Sequence, residues 1–133
     1  MKIVAMLVLS LAFVGCATLP TEQRAEEATY QALLVSDTIQ SINGAVAHPD
    51  VYRETNRILP SHPNAVQTIA VMGAQAALHG LVTQQLYNRN APIWAQRIWQ
   101  AVTIGMEADT VRGNWQIGLR LSPSESTLAA HRH

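Results

Sequence analysis

Three ionisable side chains stand almost alone in long uncharged stretches of this 133-residue chain: Asp37, His79 and Glu107. A carboxylate–imidazole–carboxylate set can hold a metal ion, relay a proton, or close a polar pair inside a core. Buried ionisable groups are costly unless paired, so their meeting would have a purpose. Metal ligation would want a compact element, such as two histidines four residues apart on a helix, and none is present. The expectation is therefore a buried polar cluster, with His79 satisfied by Asp37 or by a glutamine, and with no metal and no cofactor. Nucleophilic chemistry has no motif to carry it: there is no Gly-x-Ser-x-Gly and no glycine-rich phosphate loop. The chain is read as a non-enzyme.

Those three groups need elements to place them. Residues 21–47 carry Ala25, Ala28, Ala32, Leu33, Ile39 and Ile42 at spacings of three and four, a helical period. Thr21 is placed to cap it, and Glu22, Glu26 and Glu27 suit the positive end of the helix dipole. Its other face holds Asp37, Ser41, Gly44 and His48. A polar connection with Pro60 and Pro63 follows. Ser61 or Asn64 then caps a second helix, 64–88, which has no formal charge but contains Gln67, Gln75, His79, Gln84 and Gln85. Gly73, Ala77 and Gly80 give it a small-residue stripe that another helix can approach. It is long enough to cross a bilayer, yet its glutamines favour burial in protein.

A third helix, 93–112, opens after the candidate cap Asn90 with Pro92 in its first turn. It has Trp94, Ile98, Val102 and Gly105 on one stripe and Gln96, Gln100, Thr103 and Glu107 on another. Arg112 and Gly113 are expected to close it. Trp94 and Trp99 flank Arg97 and read as a packing or interfacial cluster. Trp115, Ile117, Leu119 and Leu121 then alternate with polar or small residues, a strand period. That segment is expected either to lie extended on the bundle or to pair with another chain. Residues 122–133, ending His-Arg-His, read as a disordered tail.

The N-terminal segment sets an address. Lys2 precedes an apolar run, residues 3–14, too short for a comfortable span and typical of a signal peptide. It ends Phe13-Val14-Gly15-Cys16, which resembles the lipobox of bacterial lipoproteins, with Phe13 where that family usually has leucine. The resemblance implies acylation of Cys16 and cleavage before it, so that residues 1–15 are a signal peptide. Cleavage near Ala17, or retention as an uncleaved anchor, are the alternatives. Cys16 is the sole cysteine, so no disulfide framework exists. Ala17 is not the aspartate that commonly retains such lipoproteins at the inner membrane, which favours the outer membrane.

Nine basic and nine acidic residues balance, and Lys2 is the only lysine. No basic patch is available for nucleic acid. Charged residues make up only 14% of the chain, well under the usual quarter, which points to extensive burial against protein or lipid.

The segments Asp37-Thr38-Ile39-Gln40, residues 52–63, Ala77-Leu78-His79 and residues 100–107 form an ordered series. The series is similar to a group of small exported proteins of proteobacteria and their phages, which have an Asp-Thr-x-Gln segment and a Glu-x-Asn-Pro-x-Leu-Gly-x-His-Pro loop. Here Arg57 and Pro60 stand where the group favours proline and glycine. The resemblance implies a structural loop carrying Glu54, Asn56 and His62, and no mechanism.

Together these observations predict an all-α protein: a signal helix, then a three-helix bundle over residues 16–121 with a short extended C-terminal segment. The expected function is that of a lipid-anchored envelope protein acting through contacts with an envelope partner. Blocking a receptor or assisting lysis would be natural tasks if the gene is phage-borne. The alternative is a small integral membrane protein whose polar stripe forms a ligand or proton site.

Overall fold

The computed structural model describes residues 19–122. Three helices account for most of them: α1, Thr21–Ser41, continued by a π-helical turn, Ile42–Val46; α2, Ala65–Asn88; and α3, Ile93–Gln116. The protein is an all-α three-helix bundle, with no strand among the described residues. Residues 1–18, on which the expected signal peptide and Cys16 fall, and residues 123–133 of the expected tail lie outside them.

Local chemistry sets most of the boundaries. Asn64 caps α2 in a capping box: its side chain accepts from the Gln67 amide while the Gln67 side chain accepts from the Asn64 amide. Two other caps differ from expectation. Pro20, not Thr21, precedes α1 and brings no side-chain cap, and Pro92 does the same for α3. Asn90 instead ends α2: it adopts a left-handed φ of 50°, and Ala91 N–H reaches back to Leu86 O at 2.9 Å.

The same terminating motif corrects the predicted end of α3. Gly113 lies inside the helix, which runs on through Trp115 to Gln116. Gly118 makes the reversal, with φ of 96° and Leu119 N–H bonded to Asn114 O at 2.9 Å. Trp115 and Gln116 are therefore helical, and the period-two pattern marks a helix end followed by a short irregular segment. That segment folds back on the bundle. Leu119 is buried with Tyr52, and Asn43 donates to the Arg120 carbonyl. Gly44 admits Leu119, because a Cβ there would lie 2.2 Å from the leucine Cδ2.

Side-chain bonds show how the helices run. Gln23 meets Gln96 and Gln40 reaches Val111 O, so α1 and α3 are parallel. Gln31 reaches Ala76 O and Glu27 meets Thr83, so α2 is antiparallel to both.

What faces inward was not expected. The apolar core is small: Tyr30, Leu34, Leu59, Met72 and Ala76, with Val71 and Ile104 packed against it. Apart from the Tyr52–Leu119 pair, Leu19 and Ala45, the rest of the interior is largely polar, with Gln23, Glu27, Gln31, Asp37, Gln40, Thr68, His79, Thr83, Gln100 and Glu107 all buried. The apolar stripes point outward. Ala25, Ala28, Ala32 and Ile39 of α1 are exposed, as are Leu78 and Leu81 of α2 and Trp94, Ile98, Val102 and Met106 of α3. The small-residue stripe of α2 is approached by a helix at one end only: a Cβ at Gly80 would lie 3.5 Å from Glu27 Oε1 of α1, whereas Ala77 is exposed and a Cβ at Gly73 would meet nothing. Helix α2 is thus an outward-facing apolar helix held by one inward line, Thr68, Met72, Ala76, His79 and Thr83, not a buried central one.

Candidate functional site

The polar interior divides into two clusters, and the division corrects the expected meeting of Asp37, His79 and Glu107. Glu27 and Asp37 are ten residues apart on α1, about 15 Å along the axis. Antiparallel α2 brings His79 level with Glu27, not with Asp37.

The first cluster is centred on Glu27, which is 1% exposed, and His79, which is 3% exposed. Imidazole Nδ1 lies 2.9 Å from Glu27 Oε2 and 3.1 Å from Oε1. Gln31 donates to Oε1 at 2.7 Å and Thr83 to Oε2 at 2.9 Å. Thr83 in turn accepts from Trp99 Nε1 at 3.0 Å and Gln100 Nε2 at 3.1 Å. Burial opposes ionisation of Glu27, but the bonds from His79, Gln31 and Thr83 outweigh it and hold the carboxyl below its usual range. His79 stacks on Tyr30 at 3.5 Å between centroids, with Trp99 on its other side at 5.0 Å. All three helices contribute, so the cluster fixes their mutual register.

Its Nε2 lies 2.8 Å from Thr103 Oγ1, so hydroxyl, imidazole and carboxylate stand in the order of a nucleophilic triad. The surroundings do not suit that chemistry. The hydroxyl donates back to Trp99 O at 2.8 Å, and aromatic rings cover the imidazole. The adjoining void, lined by Thr83, Trp99 and Gln100, is about 10 Å³, roughly one water molecule. An acyl substrate has no room there.

The second cluster is acidic. Asp37 accepts from Asn114 Nδ2 at 2.6 Å. Burial, together with the nearby Glu54 charge, pushes its carboxyl up to about 6 against the opposing effect of that bond. Glu107 is raised to about 7 by burial and by the charge of Asp37, and its Oε1 has no hydrogen-bond partner. Asp37 and Glu107 thus feel each other's charge without a bond between them, Glu107 also acts on Tyr30, and His79 pairs with Glu27. Glu54 organises the predicted loop: its Oε1 accepts from the Thr55 and Asn56 amides, each at 2.9 Å, and its own N–H donates to Ser61 O. Asn56 accepts from the Ile58 amide at 3.0 Å. His62 is exposed and lies outside this framework. Beside the acidic cluster a cleft of about 400 Å³ opens between the π turn, the loop and the end of α3, with Tyr52, Glu54 and Asn114 in its lining.

Comparison with protein-family models, curated proteins and solved structures gives no match. The site is accordingly read from its chemistry. Among the described residues, no three His, Cys, Asp or Glu side chains are placed to hold a metal ion. The ordered series of segments 37–40, 52–63, 77–79 and 100–107 supplies Asp37, Gln40, Glu54, His79, Gln100 and Glu107, and all six except the half-buried Glu54 are buried.

Glu27 is the central residue that sequence reasoning missed. With Glu22 and Glu26 beside it, it read as a dipole-complementing surface acid. The available signal was its spacing of four from both Gln23 and Gln31, a polar line with no lysine or arginine on it. Trp94 and Trp99 also part company: Trp99 joins the buried network, whereas Trp94 points outward. Arg97 between them pairs with Glu22 and Glu26 at the bundle surface.

Proposed function

We propose that the protein is a non-catalytic, lipid-anchored component of the cell envelope that docks a partner protein on the outward apolar faces of α2 and α3. One observation carries this: polar stripes face in and apolar stripes face out, so that Leu78, Leu81, Trp94, Ile98, Val102 and Met106 are each at least half exposed. On α3, Trp94, Ile98, Val102 and Met106 recur every fourth residue and so form one apolar stripe, the kind of exposed surface that marks an interaction site. The Cys16 lipobox supplies the tether, and the outer membrane is the favoured location.

A second reading, insertion of the bundle in the bilayer, draws support from α2, which is uncharged and apolar enough to cross and has only 22% of its most apolar window buried. Against it, exposed Arg97 and Asp109 leave α3 an outer belt without charge of only 11 residues. That is about 16 Å, roughly half a hydrocarbon core. A protein surface matches the belt better.

Charging the face tests the proposal. The double variant Ile98→Glu, Met106→Glu changes only exposed side chains and is expected to fold normally. Native-size analysis of the full-length protein after gentle solubilisation should place wild type in a larger complex and release the variant from it. A wild-type protein that runs alone, or a complex indifferent to the two charges, would refute docking on this face.

A further inference from the structure

Helix direction gathers three chain ends at one place. Because α1 and α3 are parallel and α2 runs against them, the start of α1, the end of α2 and the start of α3 share one end of the bundle. The chain leading from Cys16 enters here, and Leu19 is 4% exposed, so it is fixed to the bundle at its point of entry. Two residues separate Leu19 from Cys16. A step of that length spans at most about 11 Å. An acyl group on Cys16 therefore holds this end against the bilayer, while the opposite end of α3 lies about 36 Å away.

The side chains exposed at this end suit a lipid surface. Ile93 and Trp94, the first residues of α3, are 61% and 64% exposed. Half-buried Tyr87 and exposed Arg89 stand at the end of α2. Amphipathic aromatic rings and arginines with apolar stems are the side chains that settle at headgroup level. One turn above Trp94, Arg97 pairs with Glu22 and Glu26, and this charged group limits the contact to the interfacial layer.

We propose that this end of the bundle rests on the bilayer, with Ile93 and Trp94 in the headgroup region, so that the helices stand upright on the membrane. The inference rests on the Cys16 anchor proposed above. Trp94 then closes the α3 stripe at the lipid, and Ile98, Val102 and Met106 stand above it, open to a protein partner. The loop and the Asp37–Glu107 cluster face the aqueous phase at the far end.

The test uses the full-length protein, recovered from cell membranes in mild detergent and reconstituted in vesicles of phosphatidylcholine brominated near the top of its acyl chains. Bromine quenches tryptophan only at close range, and Trp94 and Trp115 are separated by about 32 Å along α3. Trp99 is common to every sample. Trp115→Phe is expected to keep the wild-type loss of fluorescence and Trp94→Phe to abolish it, with unchanged circular dichroism in both. Intact mass of the same sample reads the anchor separately. An acylated protein whose Trp94 escapes bromine would overturn the upright contact and leave the anchor standing. So would a Trp94 shielded from aqueous iodide without being quenched by lipid, which would assign this end to a protein contact. Equal quenching of Trp94 and Trp115 would mean a bundle lying flat or inserted, and would overturn it too. A Cys16 without acyl chains would remove the anchor and this inference with it.

Discussion

Glu107 offers a quantitative test of the polar interior. Burial first, and the charge of Asp37 second, raise its carboxyl from an ordinary value of 4.5 to about 7. The folded protein therefore holds this proton more tightly than the unfolded chain does. Stability contributed by the protonated form is complete below about pH 4, declines as pH rises between 4.5 and 7, and is lost above. At about 1.4 kcal/mol per tenfold change in proton affinity, the ionised group costs roughly 3 kcal/mol at pH 8. Gln at this position removes the charge at nearly constant volume. Glu107→Gln is expected to exceed wild type by about 2–3 kcal/mol at pH 8, roughly 10 °C in thermal midpoint for a chain of this size, and to differ by under about 1 kcal/mol at pH 5. Denaturant titrations in matched buffers across pH 4.5–8 would measure both limits. A variant stabilised equally at every pH would mean that packing, not charge, is responsible. A variant less stable at pH 8 would refute burial of an ionisable acid here.

Other perturbations address different parts of the architecture. Glu27→Ala strips the imidazole, Gln31 and Thr83 of their common acceptor, and a loss of about 3–5 kcal/mol in chemical denaturation is expected. A loss below 1 kcal/mol would mean that the network does not hold the helices together. Asn64→Ala removes half of the capping box and should cost about 1 kcal/mol by the same assay, with α2 otherwise intact. Intact-mass measurement of protein from separated membranes should begin at an acylated Cys16 and appear in the outer-membrane fraction. A mass retaining Met1 would remove the lipid anchor from the account.

How far this structure is legible in the sequence depends on which physical signal each residue carries. Asn64 with Gln67 is a local hydrogen-bonding signature, and the helix it announces begins at the next residue. The two stripes on α3, Trp94-Ile98-Val102 and Gln96-Gln100-Thr103-Glu107, are equally visible from their spacing. Spacing alone does not say which stripe turns inward, and the usual preference for burying apolar groups points the wrong way here. His79 could be recognised as needing a partner, but the choice of Glu27 over Asp37 follows from the vertical offset between antiparallel helices, which no local pattern encodes. The alternation at residues 115–121 misleads for a related reason. Two of its positions complete a helix, and Gly118, the residue able to adopt the left-handed reversal, sits inside the apparent strand.

The inward polar stripes and outward apolar ones belong to one design. The Glu27–His79 network and the Asp37–Glu107 cluster replace much of the hydrophobic core as the means of setting helix register, which leaves the apolar side chains available outside. The most direct test of that use is a photo-crosslinking residue at Ile98 on the outer face of α3, introduced in living cells and compared with one at Arg57, an exposed position in the loop. The account predicts a discrete adduct from position 98, identified by mass spectrometry as one envelope protein, and none from position 57. Adducts with lipid alone, or no adduct at position 98 in membranes that contain the protein, would contradict it.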